Sequence, residues 1–135
     1  MVDSMGFKVM LLIHVLAAVV AFGGNFIQPM LQRGGADNAG LAKVNKLIQL
    51  PALVVMFLAG SGAVGMSKVG DVALFEFSQM WVSLAFVVAI VACVLQFLVA
   101  RAYENDNTAV VAPLAGGLHL CLIVGLVLMI WKPGL

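Results

Sequence analysis

Charged residues are placed so that four long stretches of this chain carry none. Val9 to Gln32, Leu47 to Ser67, Phe77 to Ala100 and Asn107 to Trp131 each hold 21 to 25 residues without a single Asp, Glu, Lys or Arg. A helix rises about 1.5 Å per residue, so each run matches the ~20 apolar residues needed to cross a bilayer. Hydrocarbon offers no water to the backbone, and runs of this length satisfy their N–H and C=O groups as helices rather than barrel strands. The expected class is therefore all-α: an antiparallel bundle of four transmembrane helices in one domain. Composition agrees, with 64% hydrophobic and 10% charged residues over 135 positions, against about 25% charged in soluble domains. A soluble catalytic domain has no room, and a net charge of +1 gives no footprint for nucleic acid.

The first run is too long for the apolar core of a signal peptide, about 7–15 residues, and leads through Gln28 and Pro29 into polar sequence. It is read as the first span. Arg33 to Lys46 and Arg101 to Asn107 read as aqueous loops on one side. Lys68 to Gln79, with Asp71 and Glu76 among apolar residues, reads as an amphipathic turn lying along the interface. Trp81, Tyr103 and Trp131 fall near span ends, where interfacial aromatics belong. Loops one and three carry four basic residues (Arg33, Lys43, Lys46, Arg101) against three on the other side (Lys8, Lys68, Lys132). That balance places those loops in the cytoplasm and both termini outside a bacterial cytoplasmic membrane. Cys93 and Cys121 lie mid-span at different depths on the third and fourth spans and read as buried thiols.

Ionisable groups inside a membrane are costly and are functional candidates by default. The four runs contain two, His14 and His119. The absence of an acidic residue in the spans removes carboxylate relays, and with them the chemistry of small multidrug exporters of similar length. His14 shares its helix face with Ala17, Ala18, Ala21, Gly24, Asn25 and Gln28, a groove of small side chains ending in two amides. His119 is flanked by Ala112, Ala115 and Gly116, then by Leu122 and Ile123. An inward imidazole beside small residues suits a flat macrocycle, since it supplies an axial ligand and the missing side chains leave space. The same small-residue faces equally let bare helices pack closely, which is the reading for Gly60, Gly62 and Gly65. Clamping one haem between both histidines requires absorbing a depth difference of roughly 10 Å. Zinc, which wants three or four ligands, is poorly served by two His and two Cys.

Among the other polar groups in the runs, Gln49, Ser61, Ser83 and Gln96 read as interhelical hydrogen bonders. Asn25 and Gln28 sit at the far end of the His14 face, where they are candidates to hold propionates, a quinone carbonyl or water. Met10, Met56 and Met129 read as packing.

The segment LLIHVLAAVVAFGGNFIQPML resembles the first helix of the HemJ and CopD-like group of small bacterial membrane proteins, closest to its uncharacterised family of four-helix integral membrane proteins. The pattern is carried by His14, Gly24, Phe26 and Pro29, with Pro51, Gly60 and the terminal Trp131 to Pro133 also fitting. HemJ-like proteins are protoporphyrinogen oxidases that bind haem b through the first-helix histidine, so the resemblance implies His14 as an axial ligand. Two departures accompany it. Met30 stands where the oxidases carry Arg, and the third span has Ser83 but no Lys. The resemblance thus implies haem ligation without the groups expected to handle porphyrin carboxylates or protons in the oxidase.

Two functions compete. One is a haem b-binding membrane protein serving electron transfer, with His14 and His119 as iron ligands, Gly24, Asn25 and Gln28 around the cofactor, and a quinone as redox partner. The other is a non-catalytic accessory or pigment-binding subunit of a larger respiratory or photosynthetic complex. A transporter ranks last because no polar path through the bundle can be traced. Four short helices bury little surface in one protomer, so a homodimer or larger complex is expected.

Overall fold

The computed structural model describes residues 4–69, 72–73 and 75–132; Asp71 and Pro133 lie outside them. Four helices are long and apolar enough to cross a membrane, making this a multi-pass all-α bundle. The first, α1, spans Met5–Arg33. The second crossing, Asn38–Gly65, is continuous but built of three pieces: α2 (Asn38–Val44), a π-helical turn (Asn45–Gln49) and α3 (Leu50–Gly65). The third is α4 (Met80–Glu104). After a 3-10 turn at Thr108–Val110 the fourth, α5, runs Val111–Trp131.

Charge marks where hydrocarbon ends, not where helix ends, so the first three spans each outrun their charge-free stretch at one end or the other, while the fourth stays within its own. Ser4 caps α1 by accepting from the Phe7 N–H at 3.1 Å, and Asp37 caps α2 by accepting from the Gly40 N–H at 2.6 Å. Most of the segment expected to be the first aqueous loop is therefore helical. Gly35 supplies the left-handed residue that closes α1, at φ +94°, with the Ala36 N–H reaching the Leu31 carbonyl at 3.0 Å. Asp106 plays the same part for α4 at φ 53°, with the Asn107 N–H on the Ala102 carbonyl at 2.8 Å. The amphipathic turn expected between the second and third spans is instead a small antiparallel hairpin, β1 (Lys68–Val69) with β2 (Val72–Ala73). Buried Ser67 closes it, its hydroxyl donating to the Val64 carbonyl and accepting from the Phe75 N–H at 3.1 Å.

The helices pack as two tight antiparallel pairs, α1 with α3 and α4 with α5. Missing side chains set the first seam. Gly24 faces the Gln49 side chain, Gly60 faces His14, Gly62 faces Met10 and Gly6 faces Met66. Gly65, expected in the same role, meets nothing. The pairs meet through two apolar clusters. One lies toward the connecting loops and comprises Leu41, Ala42, Val99, Ala102, Tyr103 and Val111. The other, mid-span, comprises Ala21, Leu53, Ala92, Leu118 and Leu122, with Cys93 and Cys121 both packed against it. The two thiols are free and border one cluster rather than separate depths. Of the three aromatics expected at the interface, only Trp131 is exposed. Trp81 and Tyr103 are 4% and 2% exposed and plug the bundle ends, Trp81 under the Lys132 ammonium, 5.6 Å from its ring.

A Cβ on Gly24 would come within 2.4 Å of the Gln49 Cδ, whereas one on Gly23 or Gly65 would meet nothing. Gly24→Ala is expected to destabilise the protein in micelles by about 1–3 kcal/mol, the usual overpacking cost, and Gly23→Ala and Gly65→Ala to leave it unchanged. Denaturant titration of the three variants checks this.

Candidate functional site

Between the two apolar clusters lies a layer of amides. On α1, Asn25 and Gln28 follow Ala21; on the second span, Asn45 and Gln49 fall between Ala42 and Leu53; on α4, Gln96 falls between Ala92 and Val99. All five are at most 5% exposed. Four of them are linked head to tail by three hydrogen bonds. Asn25 Nδ2 donates to Gln96 Oε1 at 2.9 Å, Gln96 Nε2 to Asn45 Oδ1, and Asn45 Nδ2 to Gln28 Oε1 at 2.9 Å. The fifth, Gln49, ends 3.2 Å from both the Val20 and Ala21 carbonyls; carbonyls only accept, so the end facing them is assigned as the amide nitrogen. The chain ends on a surplus donor, since buried Gln28 Nε2 has no partner among the described residues.

Asn45 falls in sequence expected to be loop, and proline explains its inward position. Pro51 has no N–H for the Leu47 carbonyl, and its ring crowds the preceding turn. The helix widens there into a π turn, with the Leu50 N–H on the Asn45 carbonyl. That turn buries Asn45 and Gln49 together, at 0% and 2% exposure.

Proline also accounts for His119. Pro29 sits inside α1 and leaves the Asn25 carbonyl without its helical donor. In a bilayer an orphaned carbonyl must find another. His119 supplies it from α5, its Nε2–H donating to the Asn25 carbonyl at 2.9 Å. Its ring stacks on Phe26, centroids 4.7 Å apart. A carbonyl only accepts, so Nε2 carries the proton and the His119 lone pair is at Nδ1, beside the side chain's own stem.

His14 is the converse. Its Nδ1 lies 2.6 Å from the Met56 carbonyl of α3, so Nδ1 is the protonated nitrogen and the lone pair is at Nε2. No described residue bonds Nε2. Gly60 permits the approach, because a Cβ there would sit 2.8 Å from the His14 Nδ1. The ring is half-buried against α3.

The structure therefore separates what the sequence placed on one face. The small-residue groove beside His14 is filled by the second span: Gly24 is covered by Gln49 of the π turn, and Ala17 and Ala21 are buried. Asn25 and Gln28 belong to the amide layer. His119 meets α1 at Asn25, roughly 16 Å along the axis from His14, so the two rings do not converge. Ser61 and Ser83 bond within their own neighbourhood, to the Phe57 and Phe77 carbonyls at 2.8 and 3.0 Å, not across helices. Among the described residues no three His, Cys, Asp or Glu converge as a metal cluster. Sequence reasoning missed Asn45 and the His14–Gly60 and His119–Asn25 pairings; the usable signal was a proline four residues after Asn25.

No family model, no curated protein and no solved structure matches this chain.

His119→Ala is expected to cost about 1–3 kcal/mol by leaving the Asn25 carbonyl unpaired. Pro29→Ala restores a helical donor to that carbonyl, so the double variant should recover most of the loss. Unfolding of the two single variants and the double one measures the coupling, and simple additivity of the losses would sink the assignment.

Proposed function

We propose that the protein binds haem b in the membrane through His14 and serves electron transfer. The observation that carries this reading is the anchored imidazole. An axial histidine offers Nε2 to the iron while its other ring N–H is held by a carboxylate, carbonyl or water, which fixes tautomer and orientation. His14 has that arrangement, with Nδ1–H on the Met56 carbonyl and Nε2 without a partner among the described residues. His119, whose Nε2 is engaged by the Asn25 carbonyl, is a strut of the fold on this reading and not the second ligand. When bound, a b-type haem supplies one-electron chemistry, with a membrane quinone as a fitting partner.

The first-helix pattern shared with the HemJ and CopD-like group supports the same residue, as a resemblance. Met30 and the unsubstituted third span argue against the group's oxidase activity. Because the second span fills the groove beside His14, room for the macrocycle has to come from the flank of the α1/α3 pair, so a homodimer or a larger complex belongs to the reading. The basic loops favour a bacterial cytoplasmic membrane with the termini outside.

The test is an absorption spectrum of protein purified from native membranes, oxidised and then dithionite-reduced. A Soret band with sharp reduced α and β bands is expected, lost in His14→Ala and retained in His119→Ala. A band that survives His14→Ala overturns the ligand assignment. A colourless protein overturns the haem reading and leaves that of an accessory subunit.

A further inference from the structure

Two clefts open side by side where the second and third spans meet the connecting loops. The larger, of about 510 Å³, is lined by Ala42, Lys43, Lys46, Leu47, Tyr103 and Glu104, among others. The smaller, of about 180 Å³, shares Lys46 and Glu104 and adds Phe97, Ala100 and Arg101. They form one basic recess divided by the Lys46–Glu104 ion pair, whose atoms are 3.2 Å apart. The second carboxylate at its rim, Asp106, accepts from Asn38 Nδ2 at 3.1 Å. Lys43 and Arg101 are left as exposed cations with no carboxylate partner among the described residues.

The recess also sits at a defined depth. Lys46 is the last charge before the apolar run that begins at Leu47, and Arg101 is the first after the run that ends at Ala100. Two cations therefore stand at the hydrocarbon boundary above apolar surface, and Lys43 lies about one helical turn further out. Leu47 and Phe97 are 68% and 44% exposed, and the Arg101 guanidinium lies 6.0 Å from the Phe97 ring centre, its stem along the span and its head at the surface.

We infer that this recess binds an anionic phospholipid, its phosphate held by Lys43, Lys46 and Arg101 and its acyl chains lying along Leu47 and Phe97. Basic pockets between spans at a membrane surface take acidic lipid headgroups, each cation contributing near the surface. A free phosphate would use the cations alone. A lipid uses them together with the apolar wall beneath, and that continuity commits the site to lipid.

Native mass spectrometry of the detergent-purified protein tests it, with phosphatidylglycerol, phosphatidylcholine and inorganic phosphate as probes. Phosphatidylglycerol should be retained and phosphatidylcholine lost. The Lys43→Gln/Arg101→Gln variant leaves the Lys46–Glu104 pair intact and should weaken retention by about fivefold for each cation removed. Lys8→Gln, at the opposite end of α1, should change nothing, and single substitutions should fall between. Equal retention of phosphatidylcholine, an undiminished response in the double variant, or displacement of phosphatidylglycerol by inorganic phosphate each overturns the proposal.

Discussion

A polar group inside a bilayer has no water to fall back on, and this bundle is organised around paying that debt. The amide layer does it for side chains. Asn25, Gln96, Asn45 and Gln28 bond one another across α1, α4 and the π turn, with the Gln28 amide nitrogen left over at the end. Individually such bonds in membranes contribute little, about 0.6 kcal/mol on average. Their force lies in the alternative, because sliding or rotating any one of the first three spans would leave amides unpaired in a medium where that costs several kcal/mol. The two apolar clusters on either side tolerate such a shift far better, so it is the layer between them that fixes register.

The same rule applied to the backbone produces the histidine and π-turn geometry. Pro29 and Pro51 each delete a donor within a span, and the two deletions are answered by different devices. At Pro51 the helix itself widens; at Pro29 another helix lends an imidazole N–H. His119 and His14 look alike in sequence, lone intramembrane histidines flanked by small residues. They differ in which ring nitrogen the backbone occupies, and so in which lone pair is left. That difference makes His119 a strut between α5 and α1 and leaves the His14 Nε2 without a partner among the described residues.

The spans were legible because charge is expensive in hydrocarbon, and Arg33, Lys46, Arg101 and their like cannot hide. Helix ends were not, since a helix continues past the membrane surface wherever caps such as Ser4, Asp37 and Asp106 allow. Trp81 and Tyr103 were read by residue type as interfacial, yet packing under Lys132 and beside Leu41 draws them inside. The histidines were found from their chemistry alone. Their partners were not, because a groove of small residues reads the same whether a cofactor or a neighbouring helix fills it; here Gly24 and Gly60 are filled by Gln49 and His14.

The direction of the amide chain has a further consequence. Three of its four members, and Gln49 beside them, come from the first half of the sequence, and α1 with α3 forms a closed pair whose Asn45–Gln28 bond needs nothing downstream. Gln96 is the sole member from the second half. Within the amide layer it works as a keystone: one carboxamide both receives from α1 and gives to the π turn, and so ties into one polar chain two hairpins that otherwise meet through the apolar clusters and the His119–Asn25 bond.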